Sequence, residues 1–244
     1  AVKNGYKKPN EYILMMAHWD HLGIKEDQSG DNIYNGAVDN ASGTAGLLEL
    51  ANYFSNIETE RSLLFLAVTA EESGLLGSQY FAEYPPIKLS NIVAGYNFDA
   101  SLPVGKTRDV IVVGYGASEL EDILKAELDK VGRYIVPDPQ PEKGFFYRSD
   151  HISFAKKGVP MLYADSGFDK IDGGKEAGRA FGDEYTAKYY HQPSDEYDPN
   201  WDLSGFADQL TLTTKMVKYL ADSDRWPEWY EGNEFRSIRE ESRK

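Results

Sequence analysis

The sequence predicts a single α/β domain in which a mostly parallel central sheet is flanked by helices on both faces. Short apolar runs alternate along the chain with amphipathic segments of helical period, an order that is typical of parallel sheets covered by helices. The clearest of these runs is apolar at every position, as in a strand that is buried on both faces. The 244 residues suffice for one large domain, and no internal repeat or low-complexity linker divides them.

The strands are predicted from the apolar runs. Residues 12–17 read Tyr-Ile-Leu-Met-Met-Ala, and a second continuous run, Leu-Leu-Phe-Leu-Ala, begins at residue 63. Such runs indicate strands with no solvent-facing side. The five predicted strands span residues 12–17, 62–69, 91–98, 110–113 and 159–163.

The helices are predicted from stripes of apolar residues at helical spacing. Leu47, Leu50 and Phe54 lie on one such stripe, and the short segment that follows residue 75 is stopped by the Pro-Pro pair at 85–86. The five predicted helices span residues 41–57, 75–83, 118–131, 152–156 and 203–221.

Two Gly-rich stretches, 25–36 and 167–182, are predicted to form loops above the sheet. Their Asp residues lack the Asp-x-Asp-x-Asp-Gly spacing of a calcium-binding loop, so we expect solvated loops. A charged tail follows residue 221, and we expect Trp226, Trp229 and Tyr230 to pack within it.

Composition and charge exclude several functions. The chain has 40 Asp and Glu against 26 Lys and Arg, and a net charge of −14 repels a phosphate backbone, so we expect no nucleic-acid partner. No apolar run approaches the roughly 20 residues of a membrane span. Cysteine is missing, which excludes disulfides, thiolate zinc sites and cysteine nucleophiles. Any metal site must therefore use carboxylates and the histidines at 18, 21, 151 and 191.

Polar side chains follow three predicted strands at their carboxyl ends, where ligands bind in open parallel sheets. Taken singly, each has an ordinary structural explanation: a histidine after a strand is often a core residue, and an aspartate before a helix is often its N-cap. Taken together, five carboxylates at one edge would repel one another by several kcal/mol per pair at about 4 Å when partly desolvated. The residues concerned are His18, Asp20, Asp39, Glu71, Glu72 and Asp99.

Metal ions are the simplest source of compensating positive charge, because these segments contain no Lys or Arg. Imidazole with carboxylate suits zinc, and manganese or cobalt are possible substitutes. One carboxylate shared between two ions would make a two-metal hydrolase site. His191 offers the second imidazole that such a site needs.

Six motifs in chain order resemble those of the M28 family of co-catalytic zinc aminopeptidases. They are His-Trp-Asp, Val-Asp-Asn-Ala-Ser-Gly, Ala-Glu-Glu-Ser-Gly-Leu-Leu-Gly-Ser, Asn-Phe-Asp, Ser-Asp-His and Tyr-His-Gln-Pro-Ser-Asp. Each motif alone is weakly specific, but six in this order and spacing are highly specific. The resemblance implies the zinc-exopeptidase α/β fold, two zinc ions per chain, and removal of N-terminal residues from peptides with a free N-terminus.

The resemblance also implies a ligand set. His18 and Asp99 would bind one zinc, and Glu72 and His191 would bind the other. Asp39 would bridge both ions, and the peptide bond that follows it is cis in relatives.

Three further residues receive catalytic roles from the resemblance. The carboxylate of Asp20 would accept the second N–H of His18 and fix its tautomer. Glu71 would be the general base and acid. The phenol of Tyr190 would help to stabilise the oxyanion.

The remaining histidines receive lesser roles. We expect His21 to lie in a loop or at the rim of the site. Ser149, Asp150 and His151 are adjacent in one turn and cannot point at one another as a catalytic triad. In relatives this segment borders the substrate pocket, so Asp150 and His151 are predicted to support substrate binding.

The sequence departs from the family at its start. Relatives carry a helix and at least one further strand before the segment that corresponds to residue 12, and this sequence begins only a few residues before it. We therefore expect one catalytic domain over 1–244 that lacks this helix and strand. The missing segment would favour self-association or a retained companion N-terminal fragment. The resemblance points to a secreted or periplasmic protein, although residues 1–10 carry no signal-peptide pattern.

Two alternatives to the aminopeptidase remain open. A glutaminyl-cyclase-like enzyme of the same fold would work with a single zinc. A non-catalytic binding domain would be marked by loss of a ligand or of the base, and the sequence retains both.

Overall fold

The computed structural model describes residues 1–26 and 29–244, and its centre is a seven-stranded sheet. In chain order the strands are β1 (Val2–Lys3), β2 (Lys8–His18), β3 (Gly23–Ile24), β4 (Ile33–Tyr34), β5 (Arg61–Val68), β6 (Ile92–Phe98), β7 (Asp109–Val113), β8 (Tyr134–Pro137) and β9 (Met161–Ser166). The order across the sheet is β1-β5-β2-β6-β9-β7-β8, and β3 pairs with β4 in a separate ribbon.

The sheet is mostly parallel, as predicted. The neighbours β5, β2, β6 and β9 run parallel to one another, and so do β7 and β8. The short edge strand β1 is antiparallel to β5, and β7 is antiparallel to β9. His18 is paired in register with Val68, and Ala17 with Phe98. The register therefore brings the carboxyl ends of β2, β5 and β6 to one edge.

Seven helices of the described residues surround the sheet. They are α1 (Gly43–Ser55), α2 (Leu76–Glu83), α3 (Leu120–Asp129), α4 (His151–Ala155), α5 (Gly174–Lys188), α6 (Ser204–Ala221) and α7 (Arg236–Ser242). Helices α1, α3 and α6 share one core with Ile13 and Met15 of β2. Residues of α2 and α4 pack on the opposite face with Leu14 and Met16. Both faces are covered, which explains why the run at 12–17 is apolar throughout.

The five predicted strands and the five predicted helices all form, with ends that differ by a few residues. The strands β1 and β8 were not predicted: β1 has only two residues, and β8 is a four-residue, partly exposed strand that ends in proline. No helix among the described residues is long and apolar enough to cross a membrane.

The prediction of a loop over 167–182 is wrong, because α5 begins at Gly174. Gly178 and Gly182 lie one turn apart and face Phe168. A Cβ at Gly178 would lie 2.0 Å from the backbone oxygen of Phe168, and one at Gly182 would lie 2.9 Å from its ring. These glycines therefore allow α5 to approach the loop that contains Phe168 closely. The Gly-rich composition of the stretch is also typical of a flexible loop, which is why the sequence predicts a loop there.

The loop predicted over 25–36 includes residues 27 and 28, which lie outside the described residues. Within the described part of this stretch, Ile33 and Tyr34 form β4.

The prediction that the tail packs onto the domain is confirmed. Trp229 is fully buried, and its indole N–H donates to the backbone oxygen of Gly158 at 3.0 Å.

Candidate metal centre

A cleft of about 530 Å³ opens at the carboxyl edge of the sheet. Its size is ordinary for a small-molecule or peptide-binding site. The predicted site residues that line it are Asp39, Glu71, Glu72, Asp99, Tyr190 and His191.

His18 is the last residue of β2 and is buried at the base of this site. Its Nδ1 lies 2.9 Å from the backbone oxygen of Asp20, so the Nδ1–H is donated to that carbonyl. Its Nε2 then faces two carboxylates, at 3.2 Å from Asp39 Oδ1 and 3.3 Å from Asp99 Oδ1. The hydrogen bond on one ring nitrogen fixes which nitrogen faces the centre.

The role predicted for the side chain of Asp20 is not the one observed. The backbone carbonyl of Asp20 accepts the His18 N–H, while its carboxylate accepts the backbone N–H of Ala70 at 2.6 Å. Ala70 has a φ of 59° and directly precedes Glu71. Asp20 therefore ties the end of β2 to the turn that carries the two glutamates.

Asp39 lies between two imidazoles. Its Oδ1 is 3.2 Å from His18 Nε2, and its Oδ2 is 3.2 Å from His191 Nε2. The peptide bond from Asp39 to Asn40 is cis, as the resemblance implied. The backbone N–H of Asp39 donates to the buried carboxylate of Asp195 at 3.1 Å. Asp195 was not singled out as a functional residue, although it ends the sixth motif.

Glu72, His191 and His21 form the second side of the centre. Glu72 Oε1 is 3.1 Å from His191 Nε2 and 3.0 Å from His21 Nδ1. His21 lies in the loop after β2, as expected, but its side chain is not at an exposed rim, because only 5% of it is exposed. Trp19, two residues earlier, is 62% exposed.

Glu71 lies on the other side, with Asp99 and His18. One potential ligand atom from each of these three residues lies within 4.8 Å of the others. Burial, the charge of Asp99 and the nearby Asp150 and Glu72 raise the pKa of Glu71 to about 9. Glu71 therefore holds a proton near neutral pH in the protein without added positive charge.

The fifth motif, Ser149-Asp150-His151, lies largely behind the cleft. Ser149 lines the cleft and donates to Asp99 Oδ2. Asp150 and His151 are fully buried, and neither belongs to the cleft lining. The ring of His151 packs against Phe146 and Tyr163, with centroids 4.8 and 5.4 Å away. The side chains of Asp150 and His151 therefore do not line the cleft, and their role in substrate binding stays a prediction.

Burial changes the protonation of this pair. Both carboxylate oxygens of Asp150 lack a hydrogen-bond partner, and burial raises its pKa to about 7. Burial lowers the pKa of His151 to about 3. Both side chains are thus favoured in their neutral forms by the low local polarity.

Tyr190 forms part of the wall of the cleft and stacks on His191, with ring centroids 3.9 Å apart. Burial and the negative charges of Asp39 and Glu72 raise the pKa of its phenol. The phenol therefore remains protonated and able to donate a hydrogen bond into the cleft.

The electrostatics divide the carboxylates into two kinds. Burial opposes a charged His18, but Asp39 and Asp99 outweigh it and raise the pKa of His18 to about 12. Hydrogen bonds to Asp39 and Glu72 raise the pKa of His191 to about 9. Burial acts to raise the pKa values of Asp39 and Glu72, but the imidazoles outweigh it and lower both. The ionised carboxylates thus attract positive charge to the centre, while the raised pKa of Glu71 keeps that side chain protonated near neutral pH.

The donor set fits zinc. Two groups of three potential ligands occur within the described residues, His18 with Glu71 and Asp99, and His21 with Asp39 and Glu72. Imidazole nitrogen and carboxylate oxygen without thiolate are ligands that zinc accepts. The buried Glu72 Oε1 has no aligned hydrogen-bond partner, so it retains the capacity to bind a cation.

Comparison with known proteins gives a family and a fold. The sequence profile of peptidase family M28 matches residues 1–214. A probable zinc metalloprotease of Pyrenophora tritici-repentis is 37% identical over 100 residues, which are 41% of this chain and 23% of that protein. Leucine aminopeptidase 2 of Arthroderma otae is 28% identical over 202 residues, 78% of this chain and 38% of that protein. The chain thus spans well under half the length of these curated relatives.

Solved structures share the fold. An aminopeptidase from an Aneurinibacillus species superimposes with a TM-score of 0.66 at 21% identity, over 92% of this chain and 48% of that one. A glutaminyl cyclase of Bacteroides thetaiotaomicron has a TM-score of 0.56 at 17% identity, over 88% of this chain and 74% of that one. The α/β architecture with a mostly parallel sheet is therefore that of the zinc aminopeptidases.

Proposed function

Because the chain belongs to peptidase family M28, we propose that it is the catalytic domain of a zinc aminopeptidase that hydrolyses the N-terminal bond of peptides. The observation that carries this proposal is the position of Asp39. Its two oxygens each lie 3.2 Å from a different imidazole, so one carboxylate serves both sides of the centre. A shared carboxylate between two ligand groups is typical of two-metal hydrolases.

The proposed centre holds two zinc ions, with manganese or cobalt as possible substitutes. His18 and Asp99 would hold one ion, Glu72 and His191 would hold the other, and Asp39 would be shared between the two sites. Two ions supply four positive charges, which balance these three carboxylates and one hydroxide. Zinc bound here supplies Lewis-acid polarisation of the scissile carbonyl and lowers the pKa of a water molecule.

Glu71 is the proposed general base and acid. It is buried, with a carboxylate oxygen within 4.8 Å of potential ligand atoms of His18 and Asp99, and the proposed ligand sets do not include it. Positive charge in the centre would lower its pKa from about 9 toward neutrality, where a carboxylate both accepts and returns a proton effectively. Glu71 takes a proton from the attacking water and delivers it to the leaving amine.

The cleft favours a substrate with a free N-terminus. Glu71, Glu72 and Asp99 all line the cleft, and carboxylate oxygens there can accept hydrogen bonds from a terminal ammonium group. The protonated phenol of Tyr190 donates a hydrogen bond to the oxyanion that develops on the substrate carbonyl. Acetylation of the substrate amine removes its charge and is expected to prevent binding.

A panel of aminoacyl p-nitroanilides, each with a free and an N-acetylated amine, tests the proposal. We expect release of p-nitroaniline only from free-amine substrates, with loss of activity after chelation and recovery with zinc. Cleavage of acetylated substrates at a similar rate would contradict exopeptidase action.

A glutaminyl-cyclase-like activity is the second candidate, since a cyclase shares the fold. One zinc per chain and cyclisation of N-terminal glutamine would favour it over the aminopeptidase. A non-catalytic binding domain is disfavoured because the ligand residues and Glu71 converge on one cleft. Secretion or export to the periplasm, a single domain over 1–244 and a companion N-terminal fragment stay predictions of the family resemblance.

A further inference from the structure

The imidazole of His21 lies beside Glu72, a proposed metal ligand. Its Nδ1 lies 3.0 Å from Glu72 Oε1, and its side chain is only 5% exposed. Neither ring nitrogen has an aligned hydrogen-bond partner, and Glu72 Oε1 has none. A buried imidazole with two unpartnered nitrogens is costly unless it has a partner in the working protein.

The ring of His21 is held by its neighbours. A Cβ at Gly36 would lie 2.6 Å from Cγ of His21, so only glycine leaves room for the imidazole there. Gly36 also has a φ of 63°, which glycine adopts without strain. The ring of His191 meets that of His21 edge to face, with centroids 5.5 Å apart. The position of His21 therefore depends on two segments that are distant in sequence from it.

We propose that His21 is a positioning residue for zinc. Its Nδ1–H donates to Glu72 and holds the glutamate carboxylate in the orientation that binds metal. The inference rests on the proposed function, because it requires Glu72 and His191 to hold a zinc ion. Carboxylate ligands are commonly fixed by such an outer hydrogen bond, and loss of one typically weakens metal affinity about 10- to 100-fold.

The number of donors argues against His21 as a ligand itself. Asp39, Glu72 and His191 already provide three protein donors on this side of the centre. A fourth would complete the closed tetrahedral set of a structural zinc site, whereas catalytic sites keep one position open. A catalytic zinc site with an open position therefore requires His21 to contact Glu72 and not to bind the metal itself.

The test compares three variants with the wild-type chain: His21→Ala, His21→Asn and His191→Ala. Zinc affinity is measured by competition with a chromophoric chelator, and zinc content at saturation by elemental analysis. We expect His21→Ala to bind zinc at least 10-fold more weakly at one site, with the wild-type zinc content at saturation. His21→Asn should recover most of this affinity, because the amide N–H₂ can donate from nearly the position of Nδ1. His191→Ala, as the ligand control, should lose one zinc even at saturation.

Three results would overturn the inference. Wild-type zinc affinity in His21→Ala would leave the ring only a packing role. Loss of one zinc at saturation, as in His191→Ala, would make His21 a ligand. No recovery in His21→Asn would exclude a role through hydrogen-bond donation. Melting temperatures of the metal-free variants show whether each is folded. Zinc content and peptide hydrolysis of the wild-type chain alone test the proposed function, independently of the His21 variants.

Discussion

The two edges of the central sheet carry opposite buried charges. At the carboxyl edge, carboxylates and imidazoles line an open cleft. At the amino edge, Arg61 and Arg239 are fully buried, and each guanidinium lies over the ring of Trp226 at a little over 5 Å from its centroid. Both edges hold charges away from water, yet within the described residues the groups of potential metal ligands lie at the carboxyl edge.

Protein groups hold the positive charge at the amino edge. Arg61 Nε pairs with Glu11 at 2.7 Å, and its Nη1 donates to the backbone oxygens of Leu220 and Arg225 at 2.6 and 2.9 Å. Arg239 Nη2 donates to the backbone oxygen of Ile92 at 2.8 Å. These contacts fasten α6 and α7 to the starts of β5 and β6. Buried charge that is bonded to backbone carbonyls thus supports the fold, whereas clustered carboxylates and imidazoles mark a candidate metal site.

The largest effect is expected from Glu71→Gln at the carboxyl edge. Glutamine keeps the shape of the side chain but cannot accept a proton, so kcat should fall roughly 10²- to 10⁴-fold. Zinc content and melting temperature should remain close to those of the wild-type chain. The matched control, Glu72→Gln, should lose zinc affinity instead. If Glu71→Gln lost metal while Glu72→Gln kept it, the assignment of base and ligand would be reversed.

At the amino edge, Arg61→Met should lower stability without changing catalysis. It leaves Glu11 and two backbone oxygens unpaired, which together cost about 3 kcal/mol. The melting temperature should fall by roughly 6–12 °C in a chain of this length. Arg61→Lys keeps the charge but not the forked donors, so its melting temperature should lie between those of Arg61→Met and the wild-type chain. A changed KM or kcat in folded Arg61→Met would show that the amino edge also affects catalysis, and would contradict this prediction.

A smaller effect is expected from pH on the metal-free protein. The pKa values of Glu71 and Asp150 are raised to about 9 and about 7, above ordinary values of 4.5 and 3.8. A raised pKa contributes stability that is present below the ordinary value and is lost as pH rises through the folded value. The melting temperature without metal should therefore fall as pH rises from about 5 to about 9. His18, whose pKa is also raised, acts in the same direction.

Asp150→Asn tests how much Asp150 contributes to this fall in melting temperature, because an amide does not titrate. The variant should lose the part of the decline that lies between about pH 4 and pH 7, while Arg61→Met should keep the whole slope. Scanning calorimetry across this range in the presence of a chelator provides the measurement. A melting temperature that rises toward pH 9 would show that these carboxylates are not held protonated by the fold.

The sequence allowed most of the carboxyl edge to be predicted, because strand ends and motifs are local features. His18, Asp39, Glu71, Glu72, Asp99 and His191 were all expected at one place, and the structure brings them together. The side-chain partner of Asp20 and the burial of His21 were not foreseen. Both depend on distant backbone, at Ala70 and at Gly36, whose approach is decided by the complete fold.

The rest of the fold shows the same limit. The sequence predicts the strands that have continuous apolar runs. It predicts a loop where α5 forms, because the glycines of α5 are typical of a flexible segment. The packing of those glycines against Phe168 becomes visible only in three dimensions. At the amino edge, tail packing was expected from Trp226 and Trp229, but no local pattern indicated that Arg61 and Arg239 would be buried beside Trp226.

The proposed function requires the carboxyl edge to hold two zinc ions around Asp39 and to use them in peptide hydrolysis. Native mass spectrometry of chelator-treated protein during zinc titration, with aminopeptidase activity measured at each step, tests this requirement most directly. We expect a mass increase that saturates at two zinc ions per chain, with activity that rises as the ions bind. Saturation at one ion, or no zinc binding by the folded chain, would contradict the proposed function.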